Sequence, residues 1–151
     1  LISVFVGNNM SYYNLKEKTL LNEKNFLDED FIIKIIPAME WQLTQEEKKI
    51  GNHFCYKATT TKKVVNRIGE TIEKKVIVWY DPIIQLNIGI QEFQGLPGAI
   101  ILLEDNNLMY ELIDIDLNLK QPLQIKKPTK GKMVNENEYT NILLKDYKQK
   151  F

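Results

Sequence analysis

Met39-Glu40-Trp41-Gln42-Leu43-Thr44 decides the fold class. Met39, Trp41 and Leu43 alternate with Glu40, Gln42 and Thr44, and a period of two with one apolar face marks a half-buried strand. Residues 45–52 are charged and end in Gly51-Asn52, which reads as a hairpin connection. Residues 53–61 then return as a strand. Alternation puts Phe54, Tyr56 and Ala58 on the face assigned to the core, and His53, Cys55, Lys57 and Thr59 on the other.

The same reading extends in both directions. Residues 1–6 form a strand, Gly7-Asn8-Asn9 a turn and residues 10–15 its partner. Residues 16–30 are polar and read as a loop with a short helical turn. Residues 31–36 are an Ile-rich strand stopped by Pro37. Beyond the central hairpin come a turn at 66–69 and a strand at 72–80 that ends on Asp81-Pro82. An apolar strand at 99–103 and a turn at Asp105-Asn106-Asn107 follow. The return strand, 108–117, has Ile113, Ile115 and Leu117 as its buried set. Residues 136–150 read as a helix, with Tyr139, Ile142, Leu143 and Tyr147 near helical spacing and Asn135 with Glu138 as its amino-terminal cap.

Strands joined by short polar turns, without strand–helix–strand alternation, predict a mainly β protein. The expected architecture is a strongly curved antiparallel sheet or partly closed barrel with a C-terminal α-helix. Residues 1–119 would be the β domain, 120–134 an extended linker with Pro122 and Pro128, and 135–151 a Lys-rich helix on or beside it. A chain of 151 residues suits one hydrophobic core. A hydrophobic share of 44% is too high for disorder, and no apolar run approaches the roughly 20 residues of a membrane-spanning helix.

Zero formal net charge hides an asymmetry: residues 1–119 carry 12 basic and 17 acidic side chains, and residues 120–151 carry 8 Lys and 3 acids. An acidic body with Arg67 as its one arginine speaks against nucleic acid as a partner. The apolar opening, with no basic residue before it, reads as a strand rather than a signal peptide.

A single Cys excludes a disulfide framework within the chain and a zinc ribbon. His53 and Cys55 sit two apart on one strand face, but no other His or Cys completes a zinc set, and no third group is evident to orient a nucleophile pair. Asp114 and Asp116, with Glu104 and Asp105 nearby, are explained by ordinary solvent-facing alternation. Gly95-Leu96-Pro97-Gly98 lacks the Lys-Ser/Thr of a phosphate loop, and Pro97 removes an amide donor. It reads as a rigid turn within an apolar segment, 83–98, that packs against the sheet, with Gly98 at a positive backbone angle. No catalytic residue, metal ligand or cofactor site is assigned. Trp79, Tyr80, Phe93, Gly95, Leu96, Pro97 and Gly98 are the candidate binding residues, on the concave side of the sheet.

Gly95–Ile100, GLPGAI, belongs to four spaced blocks that resemble the GLPGLI family of uncharacterised secreted bacterial proteins. The others are Trp41-x-Leu43-Thr44 running to Lys49-Ile50-Gly51, Cys55-Tyr56-Lys57-Ala58-Thr59, and Trp79-Tyr80 leading through Ile84 and Gly89 to Phe93. Gly131-Lys132 with Glu138-Tyr139 looks like the family's tail. Ala99, Gln85 and Ile90 depart from its usual Leu, Pro and Pro, as in a divergent member. The resemblance implies export to the periplasm or surface of a Gram-negative bacterium, and no known activity. The functional expectation is a non-enzymatic binding or assembly module for an apolar, peptide-like or envelope-protein partner. The alternative is a carboxylate-dependent hydrolase-like enzyme, using Asp81, Asp114 or Asp116, or an accessory domain of a secreted enzyme.

Overall fold

The computed structural model describes residues 2–6, 9–86, 88–106 and 108–150. The turn expected at Gly7-Asn8 and the second half of that at Asn106-Asn107 fall outside them. The described residues are mainly β, with two five-stranded sheets and one helix among them. The chain divides into two compact units: Leu1–Pro37, Val64–Ile72 and Ile125–Phe151 form the first, and Ala38–Lys63 with Glu73–Gln124 the second. The expected single curved sheet is thus two sheets, each an open series of strands, and among the described residues neither closes into a barrel.

The first unit holds β1 (Ile2–Val6), β2 (Asn9–Asn14), β3 (Thr19–Phe26), β4 (Glu29–Ile35) and β10 (Lys132–Asn135), in the order β1-β2-β3-β4-β10. The first four are antiparallel neighbours. Within the expected loop 16–30, residues 19–26 and 29–30 are strand, and 16–18 and 27–28 are turns. Leu27 and Asp28, at φ 52° and 62°, make the two-residue turn that pairs Phe26 with Glu29. β10, expected as linker, lies parallel to β4, with Val134 opposite Ile33. This is a departure from the all-antiparallel expectation. Parallel neighbours need a long crossover, and here the intervening chain includes the whole second unit, which no local pattern reveals.

β4 reads as a continuous apolar run because both its faces are covered. Phe31, Ile33 and Val134 pack with Tyr139 and Ile142 of helix α1 (Glu136–Lys150), and Ile32 packs with Tyr12, Leu21 and Ile125 on the opposite face. The Tyr139 ring meets Phe31 edge-on at 5.5 Å. The expected cap is present: the Glu138 amide donates to Asn135 Oδ1 at 2.9 Å, and the Asn135 amide donates to Glu138 Oε2 at 2.8 Å. Asn135→Ala should cost about 1 kcal/mol, read as a lower urea midpoint with the β signal of the circular dichroism spectrum kept.

The second unit's sheet has the order β5-β6-β7-β8-β9, built from β5 (Gln42–Ile50), β6 (His53–Val65), β7 (Thr71–Asp81), β8 (Ala99–Asp105) and β9 (Leu108–Glu111). The Gly51-Asn52 turn is where expected, with Ile50 opposite His53. The charged run 45–50 belongs to the strand, however, and Met39–Trp41 precede it. β5 is an edge, and charges on an edge oppose pairing with other chains. β9 ends at Glu111, so Asp114 and Asp116 lie on an irregular segment where Ile113 is 96% exposed rather than buried.

Both faces of this sheet are covered at its β7–β8 end. Val76, Val78 and Tyr80 pack on one side with Ala58, Phe93, Leu96 and Leu103. Trp79 lies on the other with Cys55, Ala99, Ile101, Ile84 and Leu86. Residues 83–98 supply cover to both faces, so the segment is packed as its composition predicts. A bulge in β8 opposite Trp79/Tyr80 shifts the alternation, which lets Ile100 and Leu103 share a side.

Candidate functional site

The candidate aromatics separate in the structure. Trp79 and Tyr80 are successive residues of β7 and point to opposite faces. Lys48 Nζ stands 5.3 Å from the Trp79 ring centroid, and Tyr80 is buried 6.4 Å from the Tyr56 ring. Phe93, Leu96 and Gly98 are buried, while Gly95 and Pro97 are exposed. The seven residues do not line one concave surface. Most of them build the packed loop, and that loop holds a residue outside the set, Trp41.

The Trp41 indole Nε1 donates to the Gln94 carbonyl at 2.8 Å, and its ring sits 6.4 Å from Phe93 at 56°. Gln94 is itself buried and doubly tied: its Nε2 donates to the Gln91 carbonyl and its Oε1 accepts from the Gly89 amide, both at 2.7 Å. Gly95 then turns at φ 96°, and a Cβ there would stand 4.0 Å from the indole. Lys62 lies over the Phe93 ring at 5.3 Å and pairs with Asp105 and with Glu92, the latter at 3.6 Å. Phe93 and Gln94, just before the Gly-Leu-Pro-Gly turn, thus clamp Trp41. The turn's Gly98 does not need a positive backbone angle. A Cβ there would stand 2.3 Å from the Asp81 carbonyl oxygen, so crowding, not φ, selects glycine.

Trp41 lines a cleft of about 630 Å³, together with Glu40 and Gln42 beside it, Thr59, Thr60 and Thr61 of β6, and Glu73 and Lys75 of β7. Gln42 is paired in register with Thr59. By alternation Thr59 and Thr61 share one side of β6, as do Glu73 and Lys75 on β7. Thr60 Oγ1 donates to the Glu40 carbonyl at 2.7 Å, which ties the incoming chain to β6. Apart from Trp41, the lining is polar. The sequence signal was there: two polar pairs at period two on neighbouring strands, next to the Trp41 motif.

The residues considered for catalysis take other roles. His53 Nδ1 lies 2.9 Å from Asp81 Oδ2, so a third group orienting His53 does exist, contrary to the sequence reading. Asp81 is buried, and its Oδ1 also accepts the Ile83 amide at 2.9 Å. Cys55 is 1% exposed, while Phe54, assigned to the core, is 65% exposed. The Cys55 Sγ donates to the His53 carbonyl at 3.8 Å. Burial, then the Asp81 charge, push its pKa up to about 11 against a weaker opposing pull from Lys48. A thiol held that high carries almost no thiolate at neutral pH and is a poor nucleophile or metal ligand. Asp114 and Asp116 are exposed and remote in pattern from Asp81, and among the described residues no three His, Cys, Asp or Glu side chains gather to hold a metal ion.

The raised thiol pKa makes a pH prediction. The folded state holds the proton more tightly than the unfolded chain, so this contribution is complete below the unfolded value of 9.0 and is lost as pH rises towards about 11. The stability gap between the native protein and Cys55→Ala should therefore narrow in urea melts taken from pH 8 to pH 10.5. A gap that stays constant would mean the thiol titrates normally.

The chain matches no protein-family model, no curated protein and no solved structure.

Proposed function

We propose that this chain is a non-enzymatic binding module of the bacterial cell envelope, periplasmic or secreted as the GLPGLI resemblance implies. The supporting observation is the clamp on Trp41. A buried glutamine and a phenylalanine fix one indole beside a 630 Å³ cleft lined mostly by hydrogen-bonding side chains. That volume falls in the range of small-ligand sites, about 300–1,000 Å³, which combine an aromatic surface with a few placed polar groups. Fixing the indole before binding lowers the ordering cost of association. Among the described residues no helix is long and apolar enough to cross a membrane.

The test is a fragment screen by ligand-observed NMR, with the emission of Trp41 followed in Trp79→Phe protein. Binders that shift Trp41 and are recovered unchanged support the reading. Binders that all leave Trp41 unaffected, or a ligand that is turned over, sink it.

An assembly role is favoured by a different observation. Ile113, Leu117, Leu119 and Leu123 are each more than half exposed on the irregular segment after β9, alternating in part with Asp114, Asp116 and Asn118. That is the pattern of a strand without a neighbour, and a peptide-like or envelope-protein partner would complete it by strand addition. Ile113→Asp with Leu117→Asp should abolish such pairing and leave Trp41 emission unchanged.

A further inference from the structure

We propose that the open edge of β6 takes up residues 113–117 of a second copy as an added strand; this rests on the strand-addition reading above and supplies its acceptor. β6 runs from His53 to Val65, but its pairing with β5 ends where Thr59 meets Gln42. The chain before Gln42 is drawn off to one face. The Thr60 hydroxyl, not a main-chain amide, donates to the Glu40 carbonyl, and Trp41 turns to Phe93 and Gln94. The 630 Å³ cleft opens where the vacated lane begins, along Thr59, Thr60 and Thr61.

In an antiparallel ladder the N–H and C=O of one residue point to the same neighbour, and successive residues alternate. The Lys57 carbonyl accepts the Thr44 hydroxyl of β5 at 3.0 Å. Just past the strand, the Asn66 amide donates to the Glu70 carbonyl across the turn to β7 at 2.8 Å. Odd-numbered residues of β6 therefore face the β5 side. Thr61, Lys63 and Val65 are exposed, and among the described residues no strand pairs with their main-chain groups on that side. An open row of this kind is a template for another strand.

Side chains along the edge select the strand. Among the described residues Lys63 has no acidic partner, whereas Lys62 is held by Asp105 and Glu92. Glu73 and Lys75 lie on β7, one strand further in, and offset each other. Two β6 edges paired together would oppose their lysines. Ile113-Asp114-Ile115-Asp116-Leu117 is the complement: it follows the end of β9, has no neighbouring strand among the described residues, and exposes Ile113, Asp114, Asp116 and Leu117. Laid antiparallel with Asp114 opposite Lys63, it sets Asp116 opposite Thr61 on the same face. Ile113, Ile115 and Leu117 then fall opposite Val64, Lys62 and Thr60, on the face where Ala58 packs. A slip of one residue would turn the acids to Val64 and the isoleucines to Lys63, so the pattern fixes the register.

Each chain carries one donor strand and one acceptor edge, so association runs head to tail. Sedimentation equilibrium should show a monomer near about 10 µM and larger species near about 500 µM, the weak range expected of a short interface. Amide exchange at Thr61 and Lys63 should slow over the same range. Lys63→Glu and Asp114→Lys, both at exposed positions, should each weaken association about tenfold by setting like charges opposite. An equimolar mixture of the two should regain it, because each variant's strand then complements only the other's edge. Lys120→Glu, outside the paired residues, should change nothing. A chain that stays monomeric at about 500 µM would overturn the proposal, and the strand-addition reading then rests on the Ile113→Asp, Leu117→Asp test with a foreign strand. Association lost in that double variant but untouched by Lys63→Glu would keep strand addition and refute β6 as the acceptor. A mixture that fails to associate, or association indifferent to every substitution, also refutes it.

Discussion

Gly98→Ala is expected to destabilise the second unit by about 3 kcal/mol, the upper range for forcing an atom into packed structure. The cause is contact with backbone. A Cβ at Gly98 would lie 2.3 Å from the Asp81 carbonyl oxygen and 2.8 Å from the Pro82 Cα, and neither can swing aside as a side-chain end can. Asp81 pairs with Ala99, next to Gly98, and its carboxylate holds His53 and the Ile83 amide. Relief therefore has to come from moving the β7–β8 junction itself. A second substitution separates crowding from backbone angle. Asn tolerates a positive φ better than Ala does, so Gly98→Asn would be the milder change if φ were the issue. Crowding predicts that Asn is at least as damaging as Ala. At Gly95, where φ is 96° and the indole stands off at 4.0 Å, the order should reverse, with Asn milder than Ala. Urea midpoints of the four variants decide it.

The legible parts of the fold are those set by local pattern. The hairpin turn at Gly51-Asn52 and the Asn135–Glu138 cap depend on residues close in sequence, and the packing of residues 83–98 follows from their own apolar composition; each is present. The parts that escaped depend on distant chain. β10 has four residues and becomes a strand only because β4, nearly a hundred positions earlier, gives it a parallel edge. Thr19–Phe26 looks like a polar loop because Asn22, Glu23, Lys24 and Asn25 follow one another without apolar alternation, while burial is concentrated at Thr19, Leu20 and Leu21. Period-two reasoning failed at His53–Ala58 because it took Phe54 for an inward residue on size. Burial of Cys55 and Ala58 instead reflects the cover provided by residues 83–98 and 99–101 on both faces. The site shows the same division. The Gly-Leu-Pro-Gly turn was recognisable from its residues, but the residue fixed just before it is Trp41, 53 positions from Gln94, whose carbonyl holds the indole.

Phe93→Ala should be the most damaging single truncation in the loop, costing about 3–5 kcal/mol as large aromatic deletions in packed cores do. Phe93 is 2% exposed and joins Val76, Val78 and Leu103 in one cluster. If residues 83–98 were a solvent loop, the change would fall within about 0.5 kcal/mol of neutral. The effect should also reach the cleft. Removing the ring takes away the surface against which Trp41 is tilted and the face that Lys62 covers. Lys62 then keeps only its carboxylate partners, Asp105 and Glu92. In the Trp79→Phe background, Phe93→Ala should move Trp41 emission to longer wavelength and speed exchange of the indole N–H now bonded to Gln94. Phe93→Leu, which keeps most of the volume, should cost about 1–1.5 kcal/mol and leave that N–H protected. A loss of stability with the indole N–H still protected would mean that the Gln94 carbonyl alone positions Trp41. Loss of both together makes Phe93 the link through which core packing holds the cleft in shape.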